Sequence, residues 1–267
     1  MDNRLTTQLT FNDLVVAFEK FGLQNKPVIA HASLSAFGHV EGGPDSVITG
    51  LGYATGAFIM PSHTYKTMIT PASGPANNAI NYLRGQQWNR LAEPYRLDMA
   101  SDPLMGQVPE AMRRWPEAQR SMHPILSFTG FRAEKILKTQ TIEEPLAPLR
   151  ALADQDGWVM LLGVDHSANT SIHLAEKLAG RKQFIRWALT DTGVVACPGF
   201  PGCSAGFEDI EPEVRQYTQT MKVGNAVVRA LPLRPLLIRV FELIRKDKHA
   251  LLCKRSDCER CAEIRKT

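Results

Sequence analysis

The chain has 267 residues, of which 44% are apolar and 22% charged, and a formal charge of +4. This is ordinary globular composition, and the length is enough to bury a core without disulfide staples. Five cysteines, an odd number, do not form a secreted disulfide framework. The segment from Met1 to Asn12 is polar, with no apolar h-region, and no apolar run reaches the length of a membrane span. A cytoplasmic protein is expected, with no membrane partner. The densest basic stretch, Arg245 to Lys248 and then Lys254, Arg255, Arg260, Arg265 and Lys266, carries no interleaved aromatic residues. It reads as a solvated helical end and not as a nucleic-acid platform.

In chain order, Phe11, Leu14, Val15, Phe18 and Phe21 fall at helical spacing, with Thr10 or Asn12 as the cap and Gly22 as the stop. Pro27 to His31 is a short buried strand leading into the small-residue loop Ala32 to Ala36. A helix from Pro44 to Leu51 and a strand from Ala57 to Pro61 complete a βαβ pattern and predict a partly parallel sheet. Residues 67 to 97 lack periodicity and read as a long surface excursion. Helix is expected over Leu104 to Trp115, strand over Ile125 to Thr129, and a helical turn over Ala133 to Leu137. Trp158 to Gly163 is the clearest buried strand, followed by a loop to Asn169 and a helix from Thr170 to Leu178. Residues 181 to 206 are mixed, with turns at Pro198-Gly and Pro201-Gly, and Leu233 to Ile244 is helical. No internal repeat or linker is visible. One domain over residues 1–267 is expected, with a cysteine-rich tail, 245–267, packed on it.

Three segments carry candidate chemistry. On a helix starting at Thr170, His173 and Glu176 share a face, so the carboxylate can orient the imidazole as a general base. The same spacing also describes a helical histidine beside a surface glutamate. Asp165 and His166 add ionisable groups in the preceding loop. His123 stands before Pro124 and a strand, where a structural hydrogen bond and a catalytic role are both open. Ser33 and Ser35, with Gly38, Gly42 and Gly43, form a phosphate-sized loop or an ordinary turn. It is neither a Walker loop nor a dinucleotide fingerprint.

Taken together, these segments resemble a known family. His31-Ala-Ser-Leu-Ser-Ala-Phe-Gly-His-Val-Glu-Gly-Gly43, Ala57 to Pro61, Asp102 to Arg113 with Arg120-Ser-Met-His-Pro124, and Trp158 to Gly163 with Asn169 to Glu176 resemble, in order, blocks of the aminoglycoside 3-N-acetyltransferase family. The resemblance covers roughly residues 27 to 210. It implies an α/β fold with a mixed, partly parallel central sheet flanked by helices, and acetyl-CoA as co-substrate. It implies that His31, Ser33, Leu34 and Ser35 lie on the donor side, the serine loop holding CoA phosphates. It makes His173 the catalytic base, with Glu176 nearby, and has His31 and His123 lining the site; Asp165, in the loop before the helix, is the other carboxylate that could orient the imidazole. The implied acceptor is an amine of an aminoglycoside or similar cationic small molecule, which would link the protein to antibiotic resistance. An acidic cleft would suit that acceptor, with Asp98, Asp102, Glu208, Asp209 and Glu211 as candidates. The chain departs from the family at residues 64 to 97, at Ala32 where the family has a serine, and in its cysteine-rich end.

Two alternatives stand beside this one: an acyltransferase of the same fold with a non-antibiotic biosynthetic acceptor, and a catalytically silent, zinc-stabilised binding module. The zinc expectation comes from spacing. Cys253, Cys258 and Cys261 form Cys-x4-Cys-x2-Cys, with Cys203 in a Gly-flanked turn as fourth ligand and Cys197 or His249 as substitutes. A set of reduced, unbound thiols is the other reading. A monomer or homodimer is expected.

Overall fold

The computed structural model describes residues 8–267, so most of the polar stretch before Asn12 lies outside the described residues. The elements in order are α1 (Phe11–Glu19), β1 (Pro27–Ala32), α2 (Gly43–Ala54), β2 (Ala57–Pro61), β3 (Met68–Ile69), α3 (Tyr82–Gly85), α4 (Gln107–Arg114), β4 (Gln119–Arg120), β5 (Phe128–Phe131), α5 (Glu134–Leu137), α6 (Ala147–Asp154), β6 (Trp158–Leu162), α7 (Ser171–Leu178), β7 (Phe184–Thr190), β8 (Gly193–Phe200), α8 (Glu211–Val214), β9 (Gln219–Val223), β10 (Ala226–Pro232), α9 (Leu233–Lys246) and α10 (Glu259–Arg265).

Seven strands form a mixed sheet in the order β4-β5-β2-β1-β6-β10-β9. The three central strands are parallel, with Ile29 paired to Ile59 on one side and Val159 on the other, while the outer pairings are antiparallel. Both faces are covered, which is why β1, β2 and β6 are apolar runs, with His31 near the end of β1 the exception. The pleat sends successive side chains to opposite faces. Val28, Ala30, Phe58, Met60, Met160 and Leu162 pack against α1, α2 and α4. Ile29, Ile59, Val159 and Leu161 pack against α5, α6, α7 and α9. A second sheet, β3-β7-β8, shares a third core with the chain's end: Phe184, Ala188 and Phe200 meet Leu252, Cys253, Cys261 and Ile264.

Local chemistry sets the element boundaries. Thr10 caps α1 through a capping box with Asp13, and the chain leaves the helix through Gly22 at φ +69°. The helix expected from Leu104 begins only at Gln107. Asp102 accepts the Leu104 N–H and winds a short 3₁₀ turn, and Gly106, at φ +87°, separates that turn from α4. The strand expected from Ile125 begins at Phe128, because His123 Nδ1 accepts both the Ile125 and Leu126 N–H groups and holds them in a turn. Residues 181 to 206 contain the β7–β8 hairpin instead of mixed structure. The 67–97 excursion is largely irregular, but β3 ties it to β7 and Asn78 exchanges hydrogen bonds with the Ile185 backbone. Among the described residues, no helix is long and apolar enough to cross a membrane.

Candidate active site

The parallel strands β2, β1 and β6 end on one edge of the sheet, where open α/β folds place their ligands. A cavity of about 310 Å³ opens there. His31 and Ala32 of β1, His63 after β2, and the Val164–Thr170 loop after β6 form one side. Pro201, Gly202 and Ser204 after β8 form the other, together with Arg260 of α10. Gly163 makes the β6 turn possible: it sits at φ +70°, and a Cβ there would come within 2.4 Å of the Ala36 Cβ.

His173 enters the cavity from the first turns of α7. Its Nδ1 lies 2.7 Å from Glu176 Oε2, and Glu176 Oε1 accepts from Arg181 Nη1 at 2.7 Å. Arg181 also donates to the Lys248 and Ala250 carbonyls, each at 2.8 Å. Glu176 is 1% exposed, so this carboxylate is satisfied by protein alone. A carboxylate only accepts, so Nδ1 of His173 donates to it, and Nε2 is the ring nitrogen left to face the cavity. Phe207 packs edge-on against the imidazole, with centroids 4.7 Å apart, and limits its rotation. The arrangement is a base held in one tautomer by an ion pair behind it.

Four more histidines are buried around it: His31, His63, His123 and His166, each with an Nε2 that has no protein partner. Burial, followed by His166, pushes His31 down to about 3, and burial, followed by neighbouring His123 and His31, pushes His63 to about 3. His123 is pushed to about 4 and His166 also downward, burial being the main cause in both. These imidazoles are neutral near pH 7. His63 Nδ1 lies 3.1 Å from the Tyr65 hydroxyl, whose pKa burial pushes up to about 12, so the phenol keeps its proton.

The candidates from sequence fall in different places. His31 and His173 line the cavity together; His123 does not, its Nδ1 being occupied by backbone N–H groups. Asp165 is exposed and turned to Ser167, whose N–H and hydroxyl it accepts, while Glu176 takes the place beside the imidazole. Ser33 continues the β1–β6 pairing through its N–H to Leu162, and its hydroxyl lies 3.2 Å from that of Ser35. Leu34 is packed on the first core, and none of Ser33, Leu34 and Ser35 lines the cavity. Asp98, Asp102, Glu208, Asp209 and Glu211 also lie outside it. Glu208 binds the His166 N–H and Arg229, Asp209 meets Lys254, and Glu211 pairs with Arg215. Sequence reasoning missed His63, Tyr65 and Arg181. The signal for the first was the polar Ser62-His63-Thr64 directly after a buried strand. The sulfurs of Cys203, Cys253, Cys258 and Cys261 all lie within 4.8 Å of one another, whereas Cys197 and His249 are not part of the group.

A sequence model of the family described as aminoglycoside 3-N-acetyltransferase matches residues 29–245. The chain belongs to that family. In sequence it is 33% identical over 161 residues to the SPbeta prophage-derived aminoglycoside N(3')-acetyltransferase-like protein YokD of Bacillus subtilis (strain 168), across 56% of this chain and 57% of that one. Aminoglycoside N(3)-acetyltransferase III of Serratia marcescens is 29% identical over 231 residues, 77% of this chain and 83% of that one. Matches to three of the relatives cover 57%, 59% and 54% of their length, so the chain aligns with little more than half of each. In three dimensions, apo aminoglycoside acetyltransferase AAC(3)-IVa superposes with a TM-score of 0.80 at 22% identity, covering 99% of both chains. That protein has also been solved, as a variant, with a gentamicin and with apramycin. AAC-IIIb, solved as a binary complex with CoASH, superposes at 0.73 with 20% identity over 90% of this chain and 97% of that one. At these identities the likeness of AAC(3)-IVa and AAC-IIIb speaks for the fold alone.

Proposed function

We propose that the protein transfers an acetyl group from acetyl-CoA to an amine of a small cationic molecule of the aminoglycoside kind, with His173 as general base. The observation that carries this reading is the buried His173–Glu176–Arg181 chain, which holds Nδ1 of the imidazole and leaves Nε2 facing a cavity at the carboxyl ends of parallel strands. The amine nitrogen attacks the thioester carbonyl while its proton passes to His173 Nε2. The tetrahedral intermediate collapses, the C–S bond breaks, and the CoA thiolate takes that proton back from His173, giving an amide and free thiol and restoring the base. Glu176 stabilises the imidazolium that forms. Because His31 and His63 stay neutral, these two histidines add no positive charge to that of Arg260 in the cavity wall. The donor-side proposal is that the Ser33–Ser35 turn, at the end of β1, binds CoA phosphates. Membership of the family and the CoASH complex of a neighbour with this fold support acetyl-CoA as donor. A protein using acetyl-CoA fits a cytoplasmic location.

A second reading concerns the acceptor. Among the described residues, the cavity lining holds one guanidinium, Arg260, and no carboxylate. That favours a less cationic, non-antibiotic amine over a polycation. A panel of aminoglycosides, simple polyamines and neutral or zwitterionic amines, assayed by release of CoA thiol, separates the two. Turnover of aminoglycosides supports the first reading, and turnover confined to the less cationic amines replaces it with the second. No thiol release with any amine removes both.

A further inference from the structure

We infer that Cys203, Cys253, Cys258 and Cys261 form a tetrathiolate zinc site that fastens the end of the chain to one wall of the cavity. One ligand comes from the turn after β8 and three from the segment around the start of α10, so a long stretch of chain separates the two halves. The four sulfurs lie within 4.8 Å of one another. A ZnS₄ tetrahedron with Zn–S bonds of about 2.3 Å has edges of about 3.8 Å, so small side-chain adjustments close it. Cys253 and Cys261 are buried, Cys203 and Cys258 half-buried, which is the enclosure a structural site has and a catalytic one lacks.

The surroundings suit a metal centre. The Ala205 N–H points at Cys203 Sγ at 3.5 Å, an N–H···S contact that steadies a thiolate ligand. Four thiolates on Zn²⁺ leave two negative charges, and Arg260 and Arg265 flank the ligands in sequence, while Lys254 and Arg255 pair with Asp209 and Asp257. Arg265 donates to the Cys253 carbonyl and so holds the ligand loop from the far end of α10. α10 has only seven residues, too few to be a stable helix by itself. The segment before it is irregular, and Leu251 takes a positive φ of 61°. A metal crosslink would add to the contacts that Leu252 and Ile264 make in the core shared with Phe184 and Phe200.

The consequence for the cavity rests on the function proposed above. Arg260, one residue before Cys261, donates to the Gly202 carbonyl at 2.9 Å and lies over the Phe200 ring, while Gly202 fits between Ile264 and Glu176. The metal thus sets the distance between the Pro201–Ser204 wall and the His173–Glu176 pair. Its role is structural, with no ligand position left for substrate.

The test uses the full-length, untagged protein. Elemental analysis should give about one zinc per chain. Titration of the wild type with an organomercurial, read with a zinc indicator, should release that zinc in step with loss of the cluster's thiols. Cys258→Ser and Cys203→Ser should lose zinc and several degrees of melting temperature, and Cys197→Ser should keep both. Cobalt added to zinc-stripped protein should give thiolate-to-metal charge transfer and a tetrahedral ligand-field spectrum. Protein without zinc whose melting is unchanged by chelator overturns the site. So do disulfides among the four cysteines, or zinc retained by Cys258→Ser and Cys203→Ser. Failure to turn over any amine by a zinc-loaded protein removes the proposed function and leaves the metal site standing.

Discussion

Glu176→Gln is a near-isosteric change whose effect can be worked from the geometry. The carboxylate accepts from His173 Nδ1 and from Arg181 Nη1, both at 2.7 Å. An amide has one accepting oxygen and one donating nitrogen. If the nitrogen faces Arg181, two donors oppose each other and a buried guanidinium loses its counter-charge. If it faces His173, Nδ1 must accept, the tautomer reverses, and Nε2 becomes N–H, useless as a base. Arg181 keeps only the Lys248 and Ala250 carbonyls. Removing one partner of a buried ion pair costs about 3–5 kcal/mol, which for a protein of this size lowers the melting temperature on the order of 10 °C. Loss of an oriented base lowers kcat by roughly 10²–10⁴-fold. Thermal melts and a thiol-release assay read the two effects separately. A double-mutant cycle with Arg181→Met should return a coupling of about 1–3 kcal/mol, because the second change removes the stranded charge. A Glu176→Gln protein with wild-type melting temperature and wild-type kcat would refute both the buried pair and its part in catalysis.

The buried histidines make stability depend on pH. His31, His63 and His123 ionise near 6.5 when unfolded but near 3, 3 and 4 when folded. Below pH 6.5 the unfolded state therefore binds more protons, and stability falls as pH drops toward 4. At pH 5 each group contributes a loss of about 2 kcal/mol, and His63→Gln should flatten the slope of urea midpoints between pH 6.5 and 4. Equal stability at pH 7 and pH 5 would contradict the neutral, buried assignment. Gly163→Ala combines a left-handed φ with a 2.4 Å approach to Ala36, so it should destabilise by about 2–3 kcal/mol; an unchanged denaturation midpoint would mean the turn relaxes freely. Calorimetry should detect CoA binding at a Kd of about 100 µM or tighter, roughly −5.5 kcal/mol. Ser33→Ala/Ser35→Ala should weaken it, and the donor assignment fails if no heat or thermal shift appears with the wild type.

The parallel centre of the sheet was readable in the sequence because β1, β2 and β6 are buried on both faces and so are apolar runs, broken only by His31 near the end of β1. The β7–β8 hairpin was not. The buried face of β7 carries Arg186 between Phe184 and Ala188, and the guanidinium lies over the Phe184 and Phe200 rings, which hides the alternation behind a charged residue. β9 escaped for a related reason: it is an edge strand, and of its five residues only Val223 is buried. His173 and Glu176 were visible as an i,i+3 pair on a helix. Arg181 lies beyond the helix end, where no periodicity points to it, and only the fold brings it to Glu176. The serine turn was legible as a strand-end loop. That it stands outside the cavity lining depends on the third dimension, as does the turn of Asp165 toward Ser167.

The most direct test of the proposal is single-turnover acetyl transfer by wild-type and His173→Ala proteins, with acetyl-CoA saturating and the best amine of the acceptor panel. The account predicts amide and CoA thiol formed in equal amounts by the wild type. It predicts a rate lower by about 10²–10⁴-fold in the variant, partly restored by added imidazole, with CoA affinity unchanged. A His173→Ala protein that transfers acetyl at the wild-type rate would contradict it.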